Sequence, residues 1–241
     1  MNIKPDEWVL VFDLDDTLYA EYAYKCSGIR AVCALVSTLY PQFDAQDLYA
    51  ALDTKSSGWL EALCRRCGLN DAEKQSLLWH YRLHAPEIQT FMPSEKLNAL
   101  IQRFAAAALI SDGRSISQRQ KLKALGLLEA FDLILISEEW GEDKPAPKRF
   151  AEVESRFPAK RYIYVGDNVK KDFVTPKRMG WLTVGITARA DNIHQAAPDL
   201  PSEYQPDRWL DSVADLEKLL MPAGHFSDGL NLPQPTMPNA V

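Results

Sequence analysis

Five short runs of apolar, β-forming residues punctuate the chain: WVLVFD (8–13), AAALISD (106–112), DLILIS (132–137), RYIYVGD (161–167) and WLTVGIT (181–187). The first begins with five apolar residues in a row rather than alternating, which is the pattern of a strand buried on both faces. Between the last four lie helix-like segments such as SISQRQKLKALGLL, APKRFAEVESRF and KKDFVTPKRMG. Strand–helix alternation of this kind predicts right-handed βαβ units, hence a parallel sheet with helices on both faces.

The interval between the first two strands differs. KCSGIRAVCALVSTLY places apolar residues at 26, 29, 33, 36 and 40, the spacing of an amphipathic helix. AQDLYAALD, GWLEALCRRCGL and AEKQSLLWHYRLH continue that pattern, and MPSEKLNALIQRFA supplies a helix leading into the second strand. The expected fold is α/β: a Rossmann-like, doubly wound parallel sheet core (1–18 and 92–220) with an inserted all-α helical cap (19–91). MPAGHFSDGLNLPQPTMPNAV (221–241), with four prolines and no lysine or arginine, reads as an irregular tail.

Composition is ordinary for a globular chain of 241 residues, with 46% hydrophobic and 25% charged residues. The net charge of −6 argues against a nucleic-acid backbone or an anionic membrane as partner. A small anionic substrate remains compatible, because one divalent ion and one lysine reverse the field locally. No apolar stretch reaches the length of a membrane span, and MNIKPDEW has no hydrophobic signal region, so a cytoplasmic location is expected. Cys64 and Cys67 have CxxC spacing, but no second pair stands at zinc-finger distance and no strand precedes them. With Cys26 and Cys33 they are expected to be reduced and packed among helices.

The chemistry gathers at the strand ends, where ligands bind in such sheets. Asp13 and Asp15 share one side of the chain if extended geometry persists beyond the first strand. Two carboxylates so close require that one be protonated or that a cation lie between them. Hard oxygen ligands suit a divalent ion, commonly Mg2+ where a phosphate completes the shell. Asp167 follows another buried strand, with Asp172 five residues on, and both are candidates to complete a magnesium site. Ser111, Asp112 and Gly113 end a third strand before a helix, where a hydroxyl and backbone N–H groups suit a phosphate oxygen. Lys144, in GEDKPAP, precedes a proline-opened helix and offers a point positive charge. Singly, each has a plainer reading as a cap, turn or surface residue; the combination points to a site.

Together these residues resemble the haloacid dehalogenase superfamily of phosphohydrolases. The likeness lies in DLDDTL (13–18), LISDG (109–113), DKPAPKRF (143–150) and YVGDNVKKD (164–172), in that order. The helical insertion has the size and position of the cap in the subgroup where it follows the first motif. The resemblance implies a magnesium-dependent phosphatase acting on a small phosphomonoester, a sugar phosphate or nucleotide. Asp13 is then the nucleophile and Asp15 the acid/base. Asp13, the Asp15 backbone carbonyl and Asp167 hold Mg2+, while Asp172 binds it through water or orients Lys144. Ser111, Asp112 and Gly113 form the substrate-binding loop, and Lys144 stabilises the transferring group. Thr17 braces the first loop, and Asp16 is structural rather than chemical.

Candidate readers of the leaving group are Tyr19, Tyr22, Tyr24, Lys25, Arg30, Trp79, Tyr81, Arg82 and His84, with Arg114 and Gln118 beyond the second motif. Each is equally readable as a surface or hinge residue, and His84 as a structural histidine. Rival activities are a dehalogenase, a phosphomutase, a phosphonate hydrolase using Lys25 or Lys55, and a non-catalytic phosphate-sensing protein. Asp15 and Asp167 count against the dehalogenase, which resembles the family without the second aspartate and the metal site. The oligomeric state is not legible in the sequence.

Overall fold

Trp8–Phe12 forms β1, and its five residues are all buried. Leu10 and Phe12 pack into one hydrophobic cluster while Val9 and Val11 pack into another, so the strand has core on both sides. That is why its sequence does not alternate. This computed structural model describes residues 3–158, 160–189, 192 and 200–220.

Four helices follow β1 in sequence: α1 (Glu21–Leu39), α2 (Ala45–Ala50), α3 (Trp59–Cys67) and α4 (Asp71–Leu83). They enclose a core of their own around Ile29, Val32, Val36, Leu48, Leu63 and Leu77. The Asn70 side chain caps α4 and Glu73 returns the bond to the Asn70 N–H, which fixes where that helix starts. All four cysteines are free. Burial pushes the Cys33, Cys64 and Cys67 thiols up, so they stay protonated and unreactive among these helices.

The chain then returns through α5 (Ser94–Ile101), β2 (Ala106–Ser111), α6 (Ser115–Ala124), β3 (Leu133–Ile136) and the short α7 (Ser137–Trp140). It continues through α8 (Lys148–Arg156), β4 (Arg161–Gly166), α9 (Val174–Arg178), β5 (Leu182–Ile186), β6 (Arg208–Leu210) and α10 (Leu216–Leu219). The strands lie in the order β3-β2-β1-β4-β5-β6, every neighbouring pair parallel. Helices α5, α6 and α10 contribute leucines to one face of this sheet, and α8 contributes Phe150 and Val153 to the other. The fold is therefore the doubly wound α/β sheet with a helical insertion that the sequence predicts. The sixth strand and α7 are additions to that reading. Residues 221–241, read from sequence as a tail, lie outside the described residues.

Two linker segments join the insertion to the sheet. Tyr19 bridges Thr90, and the Phe91 N–H bonds the Leu18 carbonyl at 3.0 Å.

Candidate active site

β1 is the centre of the sheet, and the winding reverses there, with β2 and β3 on one side and β4 to β6 on the other. Such a reversal opens a crevice at the carboxyl ends of the two strands that flank it. Asp13 sits in that position, its N–H bonded to the Val165 carbonyl of β4 at 2.8 Å. Asp167 comes from the end of β4 itself.

Lys144 joins these strand ends. Its Nζ, buried, donates to Asp13 Oδ1 and to Asp172 Oδ1, both at 2.6 Å, and to the Tyr164 hydroxyl at 3.1 Å. Tyr164 donates in turn to Asp172 Oδ1, and the Asn168 N–H donates to Asp172 Oδ2 at 2.8 Å. Both oxygens of Asp172 thus have protein donors, an arrangement suited to orienting Lys144. Burial opposes the charge of Lys144, yet Asp13 and Asp172 outweigh it and hold the ammonium well above its ordinary value.

Acid is nevertheless in excess. Oxygens of Asp13, Asp167 and Asp172 lie within 4.8 Å of one another. Burial, then the Asp172 carboxylate, pushes Asp13 up to about 7 against the pull of Lys144. Burial, then Asp172 and Asp13, pushes Asp167 up to about 9. The only donors recorded to Asp167 among the described residues are long: Thr17 Oγ1 at 3.4 Å and Asn192 Nδ2 at 3.5 Å. Three buried carboxylates facing one lysine form an all-oxygen donor set with surplus negative charge, which fits a hard divalent cation.

Asp15 meets a second lysine. Extended geometry ends after Phe12, and Asp16 turns the chain with φ of 55°, its carboxylate accepting from the Glu21 N–H at 2.9 Å. The Asp13 and Asp15 side chains each meet a different lysine, Lys144 and Lys121. Lys121 Nζ donates to Asp15 Oδ1 at 2.7 Å, Gln118 Nε2 to Oδ2 at 2.8 Å, and the Tyr19 hydroxyl donates to Oδ1 as well. Burial pushes Asp15 up, but Lys121 and these hydrogen bonds prevail and hold it below its ordinary value.

The residues expected to bind phosphate divide. Ser111 is buried, and its Oγ accepts from Gln118 Nε2 at 2.7 Å, which leaves the hydroxyl proton for an incoming oxygen. The Asp112 carboxylate faces away from that role. Arg149 NH2 donates to it at 2.6 Å, Lys171 Nζ at 2.9 Å and the Lys144 N–H at 3.0 Å. It anchors the lysine loop to β2. The Gly113 N–H, one of the amides expected to face a phosphate, is bonded to Ser137 Oγ at 2.9 Å.

Arg149, inside the DKPAPKRF run but given no role there, and Lys121 are buried cations that the sequence did not single out. Arg149 is fully buried, with NH1 donating to the Ser111 carbonyl at 2.9 Å. Of the residues proposed to read the leaving group, Lys25 holds the Lys55 and Ser56 carbonyls. Arg30 stacks on Tyr49 and Arg82 on Trp79. His84 is buried between the Tyr81 carbonyl and Ser27 Oγ, a structural histidine, and burial lowers its pKa. Only Tyr19, Tyr24 and Gln118 border Asp15 or its lysine.

The haloacid dehalogenase-like hydrolase family matches residues 10–186. The chain belongs to that family. Among relatives of this hydrolase, glyceraldehyde 3-phosphate phosphatase of Methanopyrus kandleri is 28% identical, over 87% of this chain and 98% of its own. The pyrimidine 5'-nucleotidase YjjG of Escherichia coli is 27% identical, over 89% and 97%. The HAD hydrolase YfnB of Bacillus subtilis, solved with magnesium bound, has the same fold, with a TM-score of 0.59 and 21% identity over 89% of this chain and 98% of that one.

One backbone requirement of the site is testable. A Cβ on Gly166 would lie 2.5 Å from Asp172 Oδ2 and 2.7 Å from its carboxyl carbon. Gly166→Ala is expected to cost about 1–3 kcal/mol, as overpacked cores do. It should also lower activity by displacing Asp172 from Lys144, measured by denaturant unfolding beside a phosphate-release assay.

Proposed function

We propose that this hydrolase is a Mg2+-dependent phosphatase that cleaves a small phosphomonoester, a sugar phosphate or nucleotide, through an aspartyl-phosphate. The observation that carries the reading is Asp13, buried at the winding reversal with Lys144 on one oxygen and the Asp167–Asp172 pair beside it. Asp13, Asp167 and the Asp15 carbonyl would hold Mg2+, with Asp172 close by, and the ion would supply charge neutralisation at the phosphoryl oxygens.

In this reading the Asp13 carboxylate attacks phosphorus and the ester P–O bond breaks. Asp15, which Lys121 and its hydrogen bonds favour as the carboxylate in the resting protein, must be protonated for this step and delivers that proton to the departing oxygen. Asp15 then accepts a proton from water, whose oxygen attacks the phosphorus of the aspartyl-phosphate, and inorganic phosphate leaves. Ser111 donates its hydroxyl to a phosphoryl oxygen while Lys144 counters the charge shared by Asp13 and the group in transfer. Positioning and electrostatic stabilisation of this kind are the main needs of phosphoryl transfer.

A phosphonate hydrolase needs a free lysine for a Schiff base, and Lys25 is tied to two backbone carbonyls. The net charge of −6 keeps nucleic acid and anionic membranes out of the reading. No helix among the described residues is long and apolar enough to cross a membrane, and we place the enzyme in the cytoplasm. Purified protein is expected to release phosphate from p-nitrophenyl phosphate with Mg2+ and to stop on addition of EDTA. Turnover unaffected by EDTA would overturn the metal dependence. A flat response to a panel of phosphomonoesters would overturn the phosphatase reading.

A further inference from the structure

Helix α6 carries Gln118 and Lys121 three residues apart, hence on one face. That face meets the loop after β1. Lys121 Nζ and Gln118 Nε2 each take one oxygen of Asp15, and the same Gln118 nitrogen lies 2.7 Å from Ser111 Oγ and 2.8 Å from the Asp112 carbonyl. Both side chains are buried, and the Lys121 side chain is only 6% exposed. Its ammonium stands 4.4 Å from the ring centroid of Tyr24 on α1, a cation–π distance. The next residues on α6 grip the helical insertion, with Ser117 Oγ on the Arg82 carbonyl at 3.1 Å and Gln120 Nε2 on the Leu83 carbonyl at 2.9 Å. A surface basic residue would cost nothing to leave in water. This lysine is desolvated to reach one particular carboxylate, and a buried charge pair is weak as a source of stability alone.

We propose that Lys121 and Gln118 are positioning residues for Asp15: they hold its carboxylate at the leaving oxygen and tie it to the phosphate-binding serine. The proposal rests on the acid/base reading of Asp15 given above. Its consequence is selective. Proton delivery matters most when the leaving group is a poor one, so the pair governs alkyl phosphates far more than aryl phosphates. The quantity to compare is kcat/KM, because hydrolysis of the aspartyl-phosphate is common to both substrates and drops out of it.

The experiment measures kcat/KM for p-nitrophenyl phosphate and for β-glycerophosphate with Mg2+ in wild type, Lys121→Met, Lys121→Arg, Gln118→Leu and Asp15→Asn. Lys121→Met is expected to lose about 10²-fold on β-glycerophosphate and at least about tenfold less on the aryl ester, within the range of general acid catalysis. Lys121→Arg should recover part of the alkyl activity, and Gln118→Leu should show the same leaning. Adding Lys121→Met to Asp15→Asn should cost nothing further, since the lysine acts through that carboxylate. Equal losses on both substrates in Lys121→Met and Gln118→Leu would overturn the proposal and leave a structural role. If Lys121→Met does not fold, Lys121→Arg and Gln118→Leu carry the same comparison. Asp15→Asn with the selective loss, beside lysine and glutamine variants without it, would sink this inference alone. Asp15→Asn with wild-type rates on both esters would overturn the acid/base reading and the inference together.

Discussion

Asp13→Asn is expected to release phosphate at least about 10³-fold more slowly than wild type, the scale on which loss of a nucleophile is felt. It should do so while remaining folded. Burial first, and the neighbouring Asp172 next, raise the Asp13 carboxyl to about 7, so near neutral pH the fold accommodates its uncharged form readily. An asparagine amide is close to that form in shape and charge. Lys144 keeps Asp172 as a partner at 2.6 Å, so no cation is stranded. Melting curves and phosphate release, measured on the same preparation, separate chemistry from stability. Wild-type turnover in this variant would remove Asp13 as the nucleophile.

The second expected effect is on stability in the absence of a divalent cation. The carboxyls of Asp13, Glu21 and Asp167 are raised to about 7, 8 and 9, burial being the first cause for each. In the unfolded chain such groups titrate near 4. Between those limits the folded state binds more protons than the unfolded one, so unfolding free energy falls as pH rises. The stabilisation is complete below about pH 4 and is lost as pH passes through 7 to 9. Asp15 and Asp112 are shifted the other way, so their contribution is lost only in acid and is level across this window. The melting temperature of metal-free protein should therefore decline from pH 5 to pH 9. Mg2+ at about a hundred times its dissociation constant should return about 5–10 °C at pH 8, and less at pH 6 where protons compete for the same oxygens. Melts in EDTA and in MgCl2 at the two pH values decide it; equal Mg2+ effects at both would contradict the charge argument.

Much of this molecule was legible from residue pattern because burial on both faces leaves an unmistakable trace. β1, β2, β3, β4 and β5 fall within a residue or two of their apolar runs. β6 left no such trace: Arg208–Leu210 is three residues long at the sheet edge, none of them fully buried. α7 is a single turn whose polar residues read as loop. The residues at the strand ends were visible as chemistry out of place beside apolar runs, and the structure brings Asp13, Lys144, Asp167 and Asp172 together.

What sequence alone did not reveal is which basic residues turn inward. Lys121 stands in SQRQKLKAL among Arg119 and Lys123, and no motif sets it apart from them. A signal was nevertheless present. Gln118, Lys121, Leu122 and Leu125 are all buried, at i, i+3, i+4 and i+7, so the lysine occupies the inward stripe. Arg149 likewise precedes Phe150 and stands four residues before Val153 on the buried side of α8. The turn at Asp16, with φ of 55°, is a backbone feature that no periodicity registers.

The partners of Asp13 come from far along the chain: Lys144 is 131 positions away, and the bond from Thr17 to Asp167 spans 150. A ribosome delivers the chain from the N-terminus, so Asp13 emerges early and stays solvated, ionised and without its partners for most of synthesis. Only when β4 slots in beside β1 are the acids desolvated and the lysine fastened. Assembly of this acid–lysine cluster thus coincides with completion of the sheet, and until then the growing polypeptide carries its acids and its lysine as separate, hydrated charges.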